Sequence, residues 1–238
     1  MLAVNNQNTQ NSKSQWINHG SYWELSSPQG DDIWLEGRKG RVTTSVSGAM
    51  VGESRFKTAE EQGRIIAGVY KEEFSPEALE RMNHGTEYEP TTRNWYSCKT
   101  KQKIEERGLI VPVWDFEIGA SIDGDIIGTD GIIEIKCPVK MYYPLTQYTD
   151  QIKSGWVPPP KYYKHIYRTH LHQMQHAMAV MGKKWCIYIV NSTIDGLIFT
   201  QKIDFDKDHW NHYYPIIKNN YNKYVAPYLN VTYPIAPS

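Results

Sequence analysis

The stretch ASIDGDIIGTDGIIEIKCP, Ala120 to Pro138, decides how the chain is read. Two apolar runs flank a turn at Thr129-Asp130-Gly131, so they should pair as a hairpin. Strand side chains alternate between faces, which puts Ile133, Ile135 and Cys137 on one side and Glu134 and Lys136 on the other. Pairing also draws Asp123, at the end of the first run, toward Glu134. Two carboxylates at close range repel unless a cation neutralises them. A hard divalent ion takes carboxylate and carbonyl oxygens, and Lys136 would reach a water or a phosphate at the same place. Metal plus lysine suits phosphodiester hydrolysis, where a hydroxide must be generated and growing phosphate charge stabilised. The D-x₁₀-E-x-K spacing also arises on solvated strands whose acids and bases pair at the surface. Spacing alone leaves both readings open.

Around the hairpin lie 238 residues, enough for one large domain or a domain with an appendage. Apolar residues make up 40%, with 17 tyrosines and 8 tryptophans, so the chain is globular rather than disordered. Lysine plus arginine equals aspartate plus glutamate at 26 each. A zero sum neither predicts nor excludes nucleic acid, because a basic groove can be balanced by acids elsewhere. Cys98, Cys137 and Cys186 show no CxxC spacing, which argues against a disulfide framework, a zinc site or an iron–sulfur cluster. No apolar run nears the roughly 20 residues of a membrane helix. The start, MLAVNNQNTQNSKSQ, lacks the basic and apolar parts of a signal peptide. A soluble intracellular protein is expected.

Residues 1–20, rich in Asn, Gln and Ser, are expected to form a flexible polar tail, with a single domain over 21–238. Thr43, Thr44 and Ser45 are helix N-cap candidates. TAEEQGRIIAGVYKEEF (58–74) reads as a helix. Pro76 opens another that runs to a C-cap at Gly108, with Pro90 starting a helical turn or kinking it. IVPVWDFEIG, ASIDGDI and GIIEIKCP read as three successive strands. KHIYRTHLHQMQHAMAVMG is helical, with Leu171, Met174, Met178 and Met181 on one stripe and Gly182 as cap. KWCIYIVN and LIFTQKID flank a turn at Asp195-Gly196, and an aromatic helix follows an Asp cap. The order of elements is that of an α+β fold around a central sheet.

The hairpin resembles the core of the PD-(D/E)xK nuclease superfamily, and its EIKCP ending is similar in particular to the lambda-exonuclease-like, YqaJ-type viral recombinase family. Three further segments match that family in the same order: QGDDIWLEGRKGRVTTS (Gln29–Ser45), HGTEYEP with its G-x-E-x-E-P pattern, and HLHQMQHAM with its Q-x-Q helix. Together they run from Gln29 to about Met178. The resemblance implies a restriction-endonuclease-like core, a central mixed β-sheet flanked by helices in αβββαβ order.

It further implies that Asp123 and Glu134 bind metal with the Ile135 backbone carbonyl, and that Glu89 is an acid from the preceding helix serving a second metal or acting through water. Lys136 would orient the attacking water and stabilise the transition state, and Gln173 would order that water or a phosphate. Arg38, Ser45 and Ser121 would line a pocket for a terminal 5′-phosphate, a dianion suited to a guanidinium fork and hydroxyls. The implied cofactor is Mg²⁺ or Mn²⁺, two ions. The implied activity is exonucleolytic hydrolysis of linear double-stranded DNA from 5′-phosphorylated ends, leaving 3′ single strands for recombination. A single-strand annealing protein is the implied partner, a ring-shaped trimer the implied assembly, and a viral or prophage origin would place the protein in a host cytoplasm or nucleus. One position departs from the family: its Pro-Asp is Ile122-Asp123 here.

Other readings stand beside these. The same metal site would serve an endonuclease or structure-specific nuclease, and a non-catalytic DNA-end-binding protein could share the fold. Glu89 could be an acid favoured near a helix start by the helix dipole. Arg38 and Ser45 could be a surface cation and an N-cap, and Gln173 a partner for backbone. His172 and His176 have the i,i+4 spacing of a zinc pair, but HQMQH lacks the glutamate of H-E-x-x-H, so they read as structural or DNA-facing. Cys137 reads as core. The aromatic C-terminal helix could stack on unpaired bases, although packing is the commoner use.

Overall fold

The computed structural model describes residues 16–159 and 161–229. In chain order the elements are β1 (Trp16–Asn18), β2 (Tyr22–Leu25), α1 (Asp32–Arg38), β3 (Val42–Thr43), α2 (Ser47–Met50), α3 (Ala59–Ile66), α4 (Pro76–Thr100), β4 (Ile104–Glu105), β5 (Leu109–Pro112), β6 (Ile118–Gly119), β7 (Gly124–Ile126), β8 (Gly131–Lys136), α5 (Tyr143–Thr146), α6 (Thr149–Lys153), α7 (Arg168–Met181), β9 (Trp185–Ser192), β10 (Leu197–Asp204) and α8 (Lys207–Tyr224).

The central sheet has the order β10-β9-β8-β7-β4. β7 and β8 form the expected antiparallel hairpin, in the register Gly124↔Ile133, Asp125↔Ile132 and Ile126↔Gly131. The chain turns through Ile127–Asp130, with Gly128 at φ +78, a conformation that favours glycine. β8 and β9 are parallel, so a crossover must join them, and α7 is that crossover. The sequence α4-β4-β7-β8-α7-β9 is thus αβββαβ, and β10 adds an antiparallel edge.

Alternation on β8 sorts its side chains between two layers. Ile133, Ile135 and Cys137 pack with Tyr96 and Ile126, with Trp95 of α4 against them. On the other face Ile132 packs with Met174, Ala177 and Met178 of α7, and Leu171 lies at the margin of the same cluster. α7 ends where expected, with Gly182 in a left-handed conformation donating its N–H to the Met178 carbonyl.

Several local expectations are corrected. Trp16–Asn18 is a strand paired with β2, so a tail cannot extend to residue 20; residues 1–15 lie outside the described residues. IVPVWDFEIG is two strands, neither in the central sheet: β5 joins β1 and β2, and β6 pairs in parallel with β3. The helix read over 58–74 stops at Ile66, opened by a Thr58–Glu61 capping box and closed before Gly68 at φ +76. α4 runs unbroken through Pro90 but stops at Thr100, with Lys101 left-handed at φ +57. Gly108 is no helix cap. A Cβ there would fall 1.7 Å from the Leu25 carbonyl oxygen, so glycine lets β2 approach the start of β5. Thr43, Thr44 and Ser45 cap nothing with their side chains; Ser45 lies in a 3₁₀ turn, Thr44–Val46.

Candidate active site

Pairing between β7 and β8 stops at Gly124↔Ile133, whereas β8 continues beside β9 to Lys136. The two strands therefore splay, and Asp123 stands at the fork. Its carboxylate accepts the Ile135 backbone N–H at 2.6 Å, replacing the ladder bond lost there. N–H and C=O of one strand residue project to the same side, so the Ile135 carbonyl also faces the fork. Gly124, next to Asp123, is required by packing: a Cβ would lie 2.4 Å from Ile104 and 2.9 Å from Ile133. Asp123 is held from behind as well. Gln29 donates to the Ile122 carbonyl at 2.9 Å, Arg93 Nε donates to the Asp123 carbonyl at 2.6 Å, and Ile122 itself is core. Three tertiary contacts fix the backbone where the family has proline.

Glu134 projects from β8 on the α7 side and is only 2% exposed. Its Oε1 lies 2.5 Å from Lys136 Nζ, an ion pair without the alignment of a hydrogen bond. Lys136 Nζ also donates to Gln173 Oε1 of α7 at 3.3 Å. Burial pushes the Glu134 carboxyl up to about 8, the Lys136 charge holding it back and Asp123 adding to the rise. Burial raises Asp123 too, against the pull of Lys136 and the Ile135 N–H. For Lys136 burial works the other way, but Glu134 and Asp123 outweigh it and hold the ammonium above its usual range.

Glu89 comes from the middle of α4, which disposes of the helix-start reading. Burial pushes it up to about 7, and repulsion from Asp123 contributes, so it faces the same fork. Arg93, one turn on, donates to Glu89 Oε1 at 2.5 Å and pairs with Glu106. One guanidinium thus ties the α4 acid to the backbone of the sheet acid.

The donor set suits a hard divalent ion: carboxylates, a backbone carbonyl on the same side, and a buried Glu134 carboxylate partnered by the Lys136 ammonium. Clustered acids at this depth are stabilised by positive charge. Among the described residues, however, no three His, Cys, Asp or Glu side chains already close on a common point. Among the described residues, Lys136 and Arg93 are the cations that act on these acids.

The expected phosphate residues are also brought together. Arg38 Nη2 donates to Ser45 Oγ at 3.0 Å, and its guanidinium stacks 4.3 Å from the Trp34 ring. Trp34 Nε1 donates in turn to Ser121 Oγ at 3.2 Å. Asp31 caps α1 by accepting the Trp34 N–H at 2.7 Å, which sets both rows of this arrangement on one short helix. Burial depresses Arg38 to about 10, so the cation remains charged at neutral pH while lacking full hydration.

The YqaJ-like viral recombinase domain matches residues 33–184, more than half of the chain. The chain belongs to this family. An alkaline exonuclease from Laribacter hongkongensis, LHK-Exo, superposes with a TM-score of 0.63 at 25% identity, over 83% of this chain and 94% of that one. LHK-Exo in complex with dAMP gives 0.63 at 26% identity over the same shares. A phage-related exonuclease from Haemophilus somnus 129PT shares the fold, with a TM-score of 0.50 and 15% identity over 79% and 93% of the two chains. A comparison with curated proteins returned no match. Among the described residues, no helix is long and apolar enough to cross a membrane.

The histidines of α7 and the aromatic residues of α8 make structural contacts. His176 is buried, its Nδ1 2.5 Å from Ser47 Oγ, and His172 bridges Glu53 at 2.9 Å and His209 at 3.0 Å. Neither faces the fork. In α8, Trp210 stacks on Tyr214, and Tyr213 and Tyr214 bond Glu53 and Asp115, so these rings pack within the fold. Reading motifs gave no role to Arg93, nor to Trp34 and Gln29 within the Gln29–Ser45 segment. Arg93 had a signal, its i,i+4 spacing from Glu89. It also missed Tyr142 and His170, which feel the Lys136 charge.

Proposed function

We propose that this chain is a divalent-metal-dependent DNA exonuclease that degrades linear duplex from 5′-phosphorylated ends and leaves 3′ single strands for recombination. The observation that carries it is the adjacency of two sites. Ser121, in the arginine–serine cluster, and Asp123, at the carboxylate fork, are two residues apart. Two residues span at most about 7 Å, which keeps the two sites within the separation of neighbouring phosphates along one strand. A terminal phosphate held at Arg38 and Ser45 would set the next phosphodiester at Lys136, which is the stride of an exonuclease.

Asp123, Glu134 and the Ile135 carbonyl would hold Mg²⁺ or Mn²⁺, with Glu89 serving a second ion. Bound there, the metal supplies a hydroxide at neutral pH and neutralises phosphate charge. Lys136, kept protonated by its acidic neighbours, stabilises charge developing on the scissile phosphate, and Gln173 fixes the ammonium and can orient a water. Arg38, stacked on Trp34 and bonded to Ser45, is pre-organised for a phosphate dianion. A relative described as an alkaline exonuclease, LHK-Exo, one of whose structures is a complex with dAMP, supports the reading. A trimeric ring and a single-strand annealing partner belong to the same proposal.

The test is digestion of a linear duplex labelled at either end, with and without 5′-phosphate and Mg²⁺. Progressive Mg²⁺-dependent release from the phosphorylated 5′ end is expected. Nicking of closed circular DNA would point to the endonuclease alternative, and end binding without hydrolysis to a non-catalytic protein.

A further inference from the structure

Beside Lys136 lies a run of rings that the proposed hydrolysis does not use. Tyr142 ends the strand exit from β8 and caps α5 from outside; its hydroxyl feels the Lys136 charge. Its ring meets Tyr167 edge-on, centroids 5.3 Å apart, and His170 at 5.4 Å. Tyr167 and His170 meet at 90°, also 5.4 Å apart. His170 is oriented by a 2.7 Å hydrogen bond between its Nδ1 and the Tyr188 hydroxyl. Further out, the Arg55 guanidinium sits 5.8 Å over Tyr167 and 4.8 Å over Phe56. Phe56 is 78% exposed, so its ring is open to solvent beside the Arg55 guanidinium.

Two features of this track point to a planar ligand. Its inner rings are half-buried and hold one another edge to face, while the Phe56 ring at its outer end is open to solvent. Its outer end is an arginine already engaged with aromatic faces, the arrangement that receives a nucleobase. The track begins at the lysine assigned to the scissile phosphate, so the base attached to that nucleotide is within reach.

We infer that Tyr142, Tyr167, Arg55 and Phe56 form a stacking subsite for an unpaired nucleobase flanking the scissile phosphate. The subsite rests on the nuclease reading for the identity of its ligand. Stacking on a π-face is tolerant of base identity, so the subsite positions the nucleotide for hydrolysis without selecting a sequence.

The test uses duplex DNA with a 5′-phosphorylated terminus frayed by mismatches, carrying 2-aminopurine at the first or second position, in Ca²⁺ to withhold turnover. Quenching of the probe is expected with the parent protein. Phe56→Ala, which removes an exposed ring and cannot empty the core, should weaken quenching and binding several-fold. Tyr167→Ala should weaken them roughly tenfold, as loss of one stacked base does, and Tyr167→Phe should restore them. In Mg²⁺ an abasic terminus should slow the parent and leave Tyr167→Ala no slower than on normal DNA. Equal quenching in parent and Tyr167→Ala, or none in the parent, overturns the subsite. Quenching without hydrolysis by the parent would keep the subsite and remove the nuclease reading; hydrolysis without quenching would do the reverse.

Discussion

The Asp123 carboxylate accepts the Ile135 backbone N–H at 2.6 Å, across the fork where β7 leaves β8. A side chain takes the place of a ladder bond, and the cost falls on the charge: burial raises the Asp123 carboxyl even with that N–H donating to it. Asp123→Asn should therefore keep the acceptor and relieve the strain. The expected outcome is nuclease activity reduced by at least about 100-fold, as for removal of one group that stabilises transition-state charge. The thermal midpoint should stay within about 2 °C of the parent or rise, since natural active sites trade stability for function. Paired activity and melting measurements check this; a clear fall in both would mean that Asp123 is structural.

Lys136 balances Glu134 and Asp123 from within the same layer. Lys136→Ala leaves those acids without their nearest cation and should remove activity by about 100-fold or more. Lys136→Arg keeps the charge but replaces a compact ammonium with a broad fork and should recover little of the rate. Single-turnover hydrolysis of a linear duplex reads both variants, and a Lys136→Ala enzyme as fast as the parent would sink the catalytic assignment.

Arg38 is shared between Ser45 and the Trp34 ring, and Trp34 holds Ser121. Arg38→Ala should abolish the preference for 5′-phosphorylated over 5′-hydroxyl ends, worth about 10- to 100-fold in kcat/KM for a charge-assisted contact of roughly 1.5–3 kcal/mol. Trp34→Phe retains the stack and loses the Ser121 bond, so a smaller loss is expected. If Arg38→Ala slowed both ends equally, the cluster would be a general DNA contact.

What could be read from residues alone was whatever depends on short-range periodicity. The alternation in GIIEIKCP put Ile133 and Ile135 on one face and Glu134 on the other, and the methionines marked one stripe of α7; that α4 covers the first face and α7 the second came from the structure. The hairpin then carried Asp123 to Glu134. The roles of Arg93, Gln29 and Trp34 were not legible beyond the Glu89–Arg93 spacing, because each acts across 30 or more residues of chain on a backbone carbonyl or a serine. The division of IVPVWDFEIG between two small sheets was hidden for a similar reason: a continuous apolar run does not say which edge its halves will meet. The polar composition of the first residues masked Trp16 and Ile17, whose partners lie in β2.

Away from the fork, His176 offers a prediction about acid stability. It is buried beside Ser47, and burial depresses it to about 3. The unfolded chain has an ordinary histidine near 6.5. Between these values the unfolded state binds the proton and the folded state does not, so stability is full above about pH 6.5 and falls as pH drops toward 3. At pH 5 the loss from this residue is about 2 kcal/mol. His209, depressed to about 4 chiefly by burial and next by His172, acts in the same direction. Glu134 and Glu89, raised by burial, act in the opposite direction over this range, so the His176 contribution is read as the difference between parent and variant in the change of urea midpoint from pH 7.5 to pH 5. His176→Gln, which keeps a partner for Ser47 and cannot take up a proton, should start less stable at pH 7.5, and its stability relative to the parent should rise by about 2 kcal/mol on going to pH 5. A variant slope as steep as the parent's would place the acid sensitivity elsewhere, in His209 and His172 at the junction of α7 and α8.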